Sequence, residues 1–235
     1  MERLDKILVT EGLGSRKEVH KIILSKRVRI DGVVITKPDY KVDSERCEIM
    51  LDGQVLNVKK HVYIMLNKPA GYVSATEDNL NRTVMELVPK ELYRKGLFPA
   101  GRLDKDTEGL MIITDDGDFA HKLTSPKNHV FKTYYAELDK TPTQEDIDSF
   151  ESGMILEDGT RLLPAKLAVL GKNKARVFIC EGKFHQVKKM FAARGMRVQY
   201  LKREKIGGLE LDSDLPKGSC RELTKSDKDV IFLVK

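Results

Sequence analysis

Between two short apolar runs, Leu97 to Ala100 and Leu110 to Ile113, the chain reads Gly101-Arg102-Leu103-Asp104-Lys105-Asp106-Thr107-Glu108-Gly109-Leu110. The second run has the length and type of a buried strand and the first is broken by Pro99, so the stretch between them is a tight loop pinned at both ends. A loop carried on rigid apolar elements stays accessible while its backbone is fixed, which is the usual setting for reactive side chains. Asp104, at the centre, is the candidate. By local chemistry alone, Asp104, Asp106, Thr107 and Gly109 read equally well as turn formers, since Asp and Gly serve turns for backbone reasons.

A length of 235 residues allows two modest cores, and 40% hydrophobic with 33% charged residues excludes a disordered chain. Forty-two Lys and Arg against 36 Asp and Glu give a net charge of +6, which suggests a polyanionic partner. The charge is clustered. Arg16, Lys17, Lys21, Lys26, Arg27 and Arg29 are opposed only by Glu18, and Lys188, Lys189, Arg194, Arg197, Lys202 and Arg203 form a second group opposed by Glu204. Either group alone could be a solvated face; two in separate parts of the chain fit a phosphate backbone better.

Cys47, Cys180 and Cys220 are too irregularly spaced for a disulfide framework or a zinc site, so a reducing cytoplasm is expected and no metal. Met1 to Thr10 has no signal-peptide core, and no stretch is long and apolar enough to span a bilayer. No Walker loop or dinucleotide fingerprint occurs. His20, His61, His121, His129 and His185 are scattered and read as surface or packing residues.

Leu4, Ile7 and Leu8 lie at helical spacing, and Ser15-Arg16-Lys17-Glu18 is a capping box opening a second helix with Val19, Ile22 and Ile23 on one face. Val28 to Ile30, Asp31-Gly32 and Val33 to Ile35 predict a hairpin. This pattern, with Leu4-Asp5-Lys6-Ile7-Leu8 and Val28-Arg29-Ile30-Asp31-Gly32, resembles the S4 domain, a small RNA-binding module. The resemblance implies an RNA-binding face made by Arg16, Lys17, Lys21, Lys26 and Arg29. We place this S4-like (alpha-L) domain at residues 1–57, a polar linker at 58–61 and a second domain at 62–235.

In the second domain, Val62 to Leu66 predicts a strand leading into the turn Asn67-Lys68-Pro69-Ala70-Gly71-Tyr72. Thr83 to Tyr93 predicts a helix whose end Pro89 obscures, and Asp118 predicts the cap of a helix running through Leu123. Phe131 to Leu138 predicts a strand on which Tyr134 and Tyr135 face opposite ways. Thr143 to Met154 predicts an acidic surface helix, and Leu167 to Leu170 with Ala175 to Cys180 a strand pair. Glu181 to Phe191 then spans a strand-to-helix junction.

Gly101-Arg102-Leu103-Asp104 with Thr107-Glu108-Gly109-Leu110, Asn67-Lys68-Pro69, Lys132-Thr133-Tyr134 and His185-Gln186-Val187-Lys188 together resemble the motifs of the pseudouridine synthases, in the branch acting on ribosomal RNA. The resemblance runs from Arg3 almost to the end. It implies an α+β protein whose catalytic domain is built on a mixed, mainly antiparallel sheet with flanking helices. Asp104, Tyr134 and Lys188 would be the catalytic group, with Lys188 or its neighbour Lys189 pairing with Asp104. Arg102, Gln186, Val187 and Lys189 would contact the substrate, with Arg102 also readable as half of an ion pair inside its loop.

The reaction so implied detaches uracil from its sugar at nitrogen and rejoins it through carbon, so it conserves atoms and needs no cofactor. A carboxylate of ordinary acidity is ionised near neutrality, so the acid needs positioning more than activation. The motif variants favour small-subunit (16S) ribosomal RNA, free or in an assembling 30S particle, over the large-subunit (23S) type. A non-catalytic S4-domain assembly protein is the alternative from another class. A glycoside hydrolase would need two carboxylates facing across a sugar, which nothing here arranges. No heptad argues for assembly, so a monomer is expected.

Overall fold

The computed structural model describes residues 1–44 and 46–233. The chain divides into two compact units, residues 1–62 with 93–97, and residues 63–92 with 98 onward.

The first unit opens with β1 (Glu2–Arg3) and α1 (Leu4–Thr10). The Ser15 and Glu18 side chains each bond the other's backbone amide, and this capping box starts α2 (Arg16–Leu24). β2 (Val28–Ile30) and β3 (Val33–Val34) turn back over Asp31 and Gly32, both at positive φ, as a tight hairpin requires. β4 (Lys41–Val42) pairs with β1, and β5 (Ile49–Leu51) and β6 (Gln54–Val55) complete an antiparallel sheet in the order β3-β2-β5-β6. Leu4, Ile7, Leu8, Val19, Ile23, Val28, Ile30, Val42 and Ile49 form the core. Asp5 is buried beside it and survives there because Arg3 grips it through two bonds and His20 Nε2 lies 3.0 Å away. Those partners hold its carboxyl well below the usual range, Arg3 contributing most.

The second unit is built on a nine-stranded sheet. Its strands are β7 (Tyr63–Lys68), β8 (Phe98–Pro99), β9 (Glu108–Thr114), β10 (Lys132–Leu138), β11 (Lys166–Gly171), β12 (Lys174–Ile179), β13 (Val198–Ile206), β14 (Leu209–Glu210) and β15 (Cys220–Glu222). The order is β11-β12-β10-β13-β9-β7-β15, with β8 on β9 and β14 on β13. β9 is buried on both faces, which explains its unbroken apolar run. Helices α3 (Gly117–Thr124), α4 (Gln144–Ser152), α5 (Gln186–Ala193) and α6 (Lys225–Ile231) flank the sheet. The fold is α+β.

Every pairing in this sheet is antiparallel except that of β9 with β13. There Gly109 lies opposite Arg203, with φ +103°, and a Cβ at residue 109 would overlap the Arg203 backbone. Only glycine fits this crossing. It joins the strand that follows Asp104 to the strand that follows α5.

Two local expectations are corrected. Thr83 to Tyr93 is no helix: a single 3-10 turn, Val84–Leu87, ends at Val88, whose ψ of 118° is extended. Val88 precedes Pro89, and proline's ring disfavours helical geometry in the residue before it. The cap of α3 is Asp116 rather than Asp118, its carboxylate accepting from Phe119 N at 3.0 Å.

Candidate active site

Asp104 sits on the loop between β8 and β9, and two sets of bonds hold that loop. The first comes from the turn after β7. Ser74 Oγ accepts from Leu103 N and donates to Leu103 O, and Gly71 N donates to Lys105 O at 2.7 Å. The second is a buried cation. Lys68, at the end of β7, is fully inaccessible, and its Nζ lies within 2.8–3.2 Å of the carbonyl oxygens of Thr107, Asp104, Pro69 and Lys105. Burial pushes its pKa down to about 8, while Asp106 and Asp104 pull the other way.

From the far side α5 supplies the counter-ion. Lys188 Nζ lies 3.0 Å from Asp104 Oδ2 and 2.5 Å from Asp106 Oδ1. Burial opposes its charge, but the two carboxylates outweigh this and raise its pKa; the same bond, also against burial, holds Asp106 below the usual carboxylate range. Lys189 points elsewhere, to Asp158 at 2.9 Å, as a neighbour about 100° around the helix must. The choice left open by the sequence falls on Lys188.

Asp104 opens into a small cleft whose walls include Arg102, Thr107, Tyr134, Gln186, Val187 and Leu201. Tyr134 is buried on β10, while Tyr135 faces the other way and bonds Glu137, as strand alternation requires. Behind Tyr134, buried Arg203 donates to the phenol oxygen at 3.4 Å and to Leu110 O at 2.7 Å. Arg102 is exposed and lines the cleft, and among the described residues it forms no ion pair inside its loop. The Gln186 amide bonds Lys183 N and Glu181 Oε1, each at 2.9 Å, so its polar atoms are occupied in fixing the turn into α5.

His185 corrects the reading of the histidines as surface or packing residues. It lines the cleft, with Nε2 3.6 Å from Asp104 Oδ1. The second basic cluster is corrected only in part as a phosphate surface, since Arg197 stays exposed while four of the six cations are engaged or buried. Besides Lys188 and Lys189, Arg194 is taken up by Glu145 and Asp146, and Arg203 is buried. Its acidic partners are distant in sequence, which hid the pairing. In the first unit, by contrast, Arg16, Lys17, Lys21, Lys26 and Arg29 are all exposed, while Arg27 pairs with Asp52.

Sequence reading missed Lys68 and Arg203. The signal for Lys68 was a lysine closing an apolar strand run; for Arg203 there was none, since a buried arginine within a basic cluster looks like its neighbours.

The sequence profile of the RNA pseudouridylate synthase family matches residues 62–193, and that of the S4 domain residues 2–46. The chain is a member of the RNA pseudouridylate synthase family. It is 43% identical over 229 residues to the RNA pseudouridine synthase YtzG of Bacillus subtilis, covering 96% of each chain. It is 40% identical over 228 residues to ribosomal small subunit pseudouridine synthase A of Escherichia coli K12, covering 96% of this chain and 97% of that one. A crystal structure of a pseudouridylate synthase superposes with a TM-score of 0.69 at 35% identity, over 98% of this chain and 100% of the other. No helix among the described residues is long and apolar enough to cross a membrane.

Proposed function

We propose that this chain isomerises one uridine of small-subunit ribosomal RNA to pseudouridine, with Asp104 acting at the sugar, Lys188 holding it and Tyr134 against the base. The observation that carries the proposal is the Asp104 carboxylate, fixed by Lys188 at 3.0 Å and facing a cleft walled by Tyr134. In the reaction the bond from the sugar carbon to uracil nitrogen breaks, a bond to ring carbon forms, and the hydrogen displaced from that carbon is replaced by one on nitrogen. Nothing is oxidised or reduced and no group passes to a second molecule, so the reaction needs neither a redox cofactor nor a group carrier. Whether the carboxylate attacks the sugar carbon or removes a sugar proton, the demand is the same: an ionised oxygen held in place.

A uridine in folded RNA reaches such a cleft only by leaving its stack, at a cost of a few kcal/mol. Stacking on Tyr134 returns about 1–3 kcal/mol, and Val187 walls the pocket. Arg102, with no partner in its loop, fills the vacated space or grips phosphate. The S4-like domain, residues 1–57 joined through 58–61, adds affinity through Arg16, Lys17, Lys21, Lys26 and Arg29. The small-subunit target is supported by the Escherichia coli relative's name. The protein acts as a cytoplasmic monomer on free ribosomal RNA or an assembling 30S particle.

The test is a chemical map of pseudouridine in ribosomal RNA from cells with and without the protein. One small-subunit site should vanish and return with wild type but not with Asp104→Asn. A vanished site in the large subunit instead would move the target. No change in any RNA would leave an RNA-binding protein without catalysis.

A further inference from the structure

Resting on the reading of the cleft as a uridine site, we infer that Phe184 is a stacking platform for the nucleobase adjacent to the target uridine. Phe184 lies in the turn between β12 and α5 and is 71% exposed. Burial cannot account for an aromatic ring in that position, and its surroundings are specific. The ring stacks on His185, centroid to centroid 3.8 Å with planes 19° apart, and His185 Nε2 is 3.6 Å from the Asp104 carboxylate. A ladder thus leads from the acid through His185, which lines the cleft, to a second ring that faces solvent.

The turn that carries the ring is tied by hydrogen bonds. His185 takes a positive φ of 54°, uncommon for a residue with a Cβ. The buried Gln186 side chain closes the same turn by bridging Lys183 N and Glu181. The ring also has a cation beside it, Lys189 Nζ at 5.8 Å from the centroid. An exposed aromatic ring is how proteins hold single-stranded nucleic acid without reading its sequence, because every base offers a π-face.

The occupant follows from position. Extruding the target uridine strips a stacking partner from each neighbouring base, and the backbone then carries those neighbours past the mouth of the cleft. A ring there replaces the lost partner. The side chains recorded against the ring are the His185 imidazole and the Lys189 ammonium, which suit a base and its backbone rather than the apolar core of a protein interface.

The chain contains no tryptophan, so Phe184→Trp introduces a single indole at the platform. The probe is a synthetic RNA of about 20 nucleotides centred on the mapped uridine, alone and with an abasic residue on its 5′ or 3′ side. We expect the intact RNA to quench the indole, and an abasic residue on one side to abolish the quench. Phe184→Ala should raise KM roughly 5- to 150-fold with kcat within about twofold, and should add nothing on the abasic RNA. If wild type turns the RNA over while the indole is unquenched and Phe184→Ala leaves KM unchanged, the platform is overturned and the active site stands. If wild type forms no pseudouridine in any RNA, the uridine reading fails and the platform with it.

Discussion

Lys188 places one ammonium between two carboxylates of a single loop, Asp104 at 3.0 Å and Asp106 at 2.5 Å, although Asp106 is 82 residues away in sequence. Hydrogen bonds to charged groups are worth about 1.5–3 kcal/mol each, so the two carboxylates depend on this cation to share the loop. Lys188→Met should lower kcat by at least about tenfold with little change in the affinity of catalytically inactive complexes, whereas Asp106→Asn, which keeps the Asp104 bond, should cost less. Single-turnover rates on the mapped RNA decide it; equal losses in the two variants would show that Asp104 does not rely on Lys188 in particular.

Lys68 makes a different kind of anchor, since its ammonium answers to backbone carbonyls rather than to a charge. Lys68→Met should cost about 2–4 kcal/mol, as the carbonyls lose their donor in a buried place. Urea unfolding measures the loss. A stability change below about 0.5 kcal/mol would mean the loop is held without it.

Lys132 should behave in the opposite way. It is buried with only a 3.4 Å bond to Cys180 O, and burial, helped by nearby Arg203, pushes its pKa down to about 8. The folded state therefore binds fewer protons than the unfolded chain between pH 8 and about 10.5, and this group's contribution to stability rises with pH across that window. Below pH 8 the folded protein carries the cost of the buried charge. Lys132→Met should thus stabilise the protein at pH 7 by about 1–3 kcal/mol, with the advantage shrinking toward pH 10.5. Urea midpoints for both proteins at pH 7 and pH 10 test the sign.

Gly109 cannot be replaced cheaply. Its φ of +103° and the Arg203 backbone facing it mean that Gly109→Ala either parts β9 from β13 or distorts both. A loss above about 3 kcal/mol, or insoluble protein, is expected. A thermal melt within a few degrees of wild type would contradict the crossing described.

The exposed cations of α2 should govern salt dependence. Neutralising Arg16, Lys17 and Lys21 to Gln together should reduce the slope of log affinity against log salt by about 2–3, since each phosphate contact contributes about 0.7–0.9. Binding measured between 50 and 200 mM salt reads it directly, and an unchanged slope would make this helix face a solvated surface only.

Much of this was legible in the sequence because it rests on local rules. The Ser15–Glu18 capping box, the Asp31-Gly32 hairpin and the opposed faces of Tyr134 and Tyr135 each follow from spacing within a few residues. The stretch around Asp104 was legible as a loop, and family motifs drew attention to its acid. What escaped depends on contacts across the fold. The Asn67-Lys68-Pro69 motif shows no role for Lys68 on its own, because that role, cradling a loop more than 30 residues later, exists only once β7 lies beside β9. Arg194 and Arg203 looked like surface charge because Asp146 and the Leu110 carbonyl that receive them come from other elements. His185 was dismissed for want of a neighbour, and its neighbour is Asp104.

The parallel crossing of β9 with β13 also sets a timetable. Parallel strands need a long connection between them, and the one here contains β10, β11, β12 and the three helices α3, α4 and α5. Contacts so distant along the chain form only after that loop has closed, which slows folding. During synthesis Asp104 leaves the ribosome long before Lys188 and Arg203 exist to meet it, so the nascent chain carries its acid unassembled until the final strands are made.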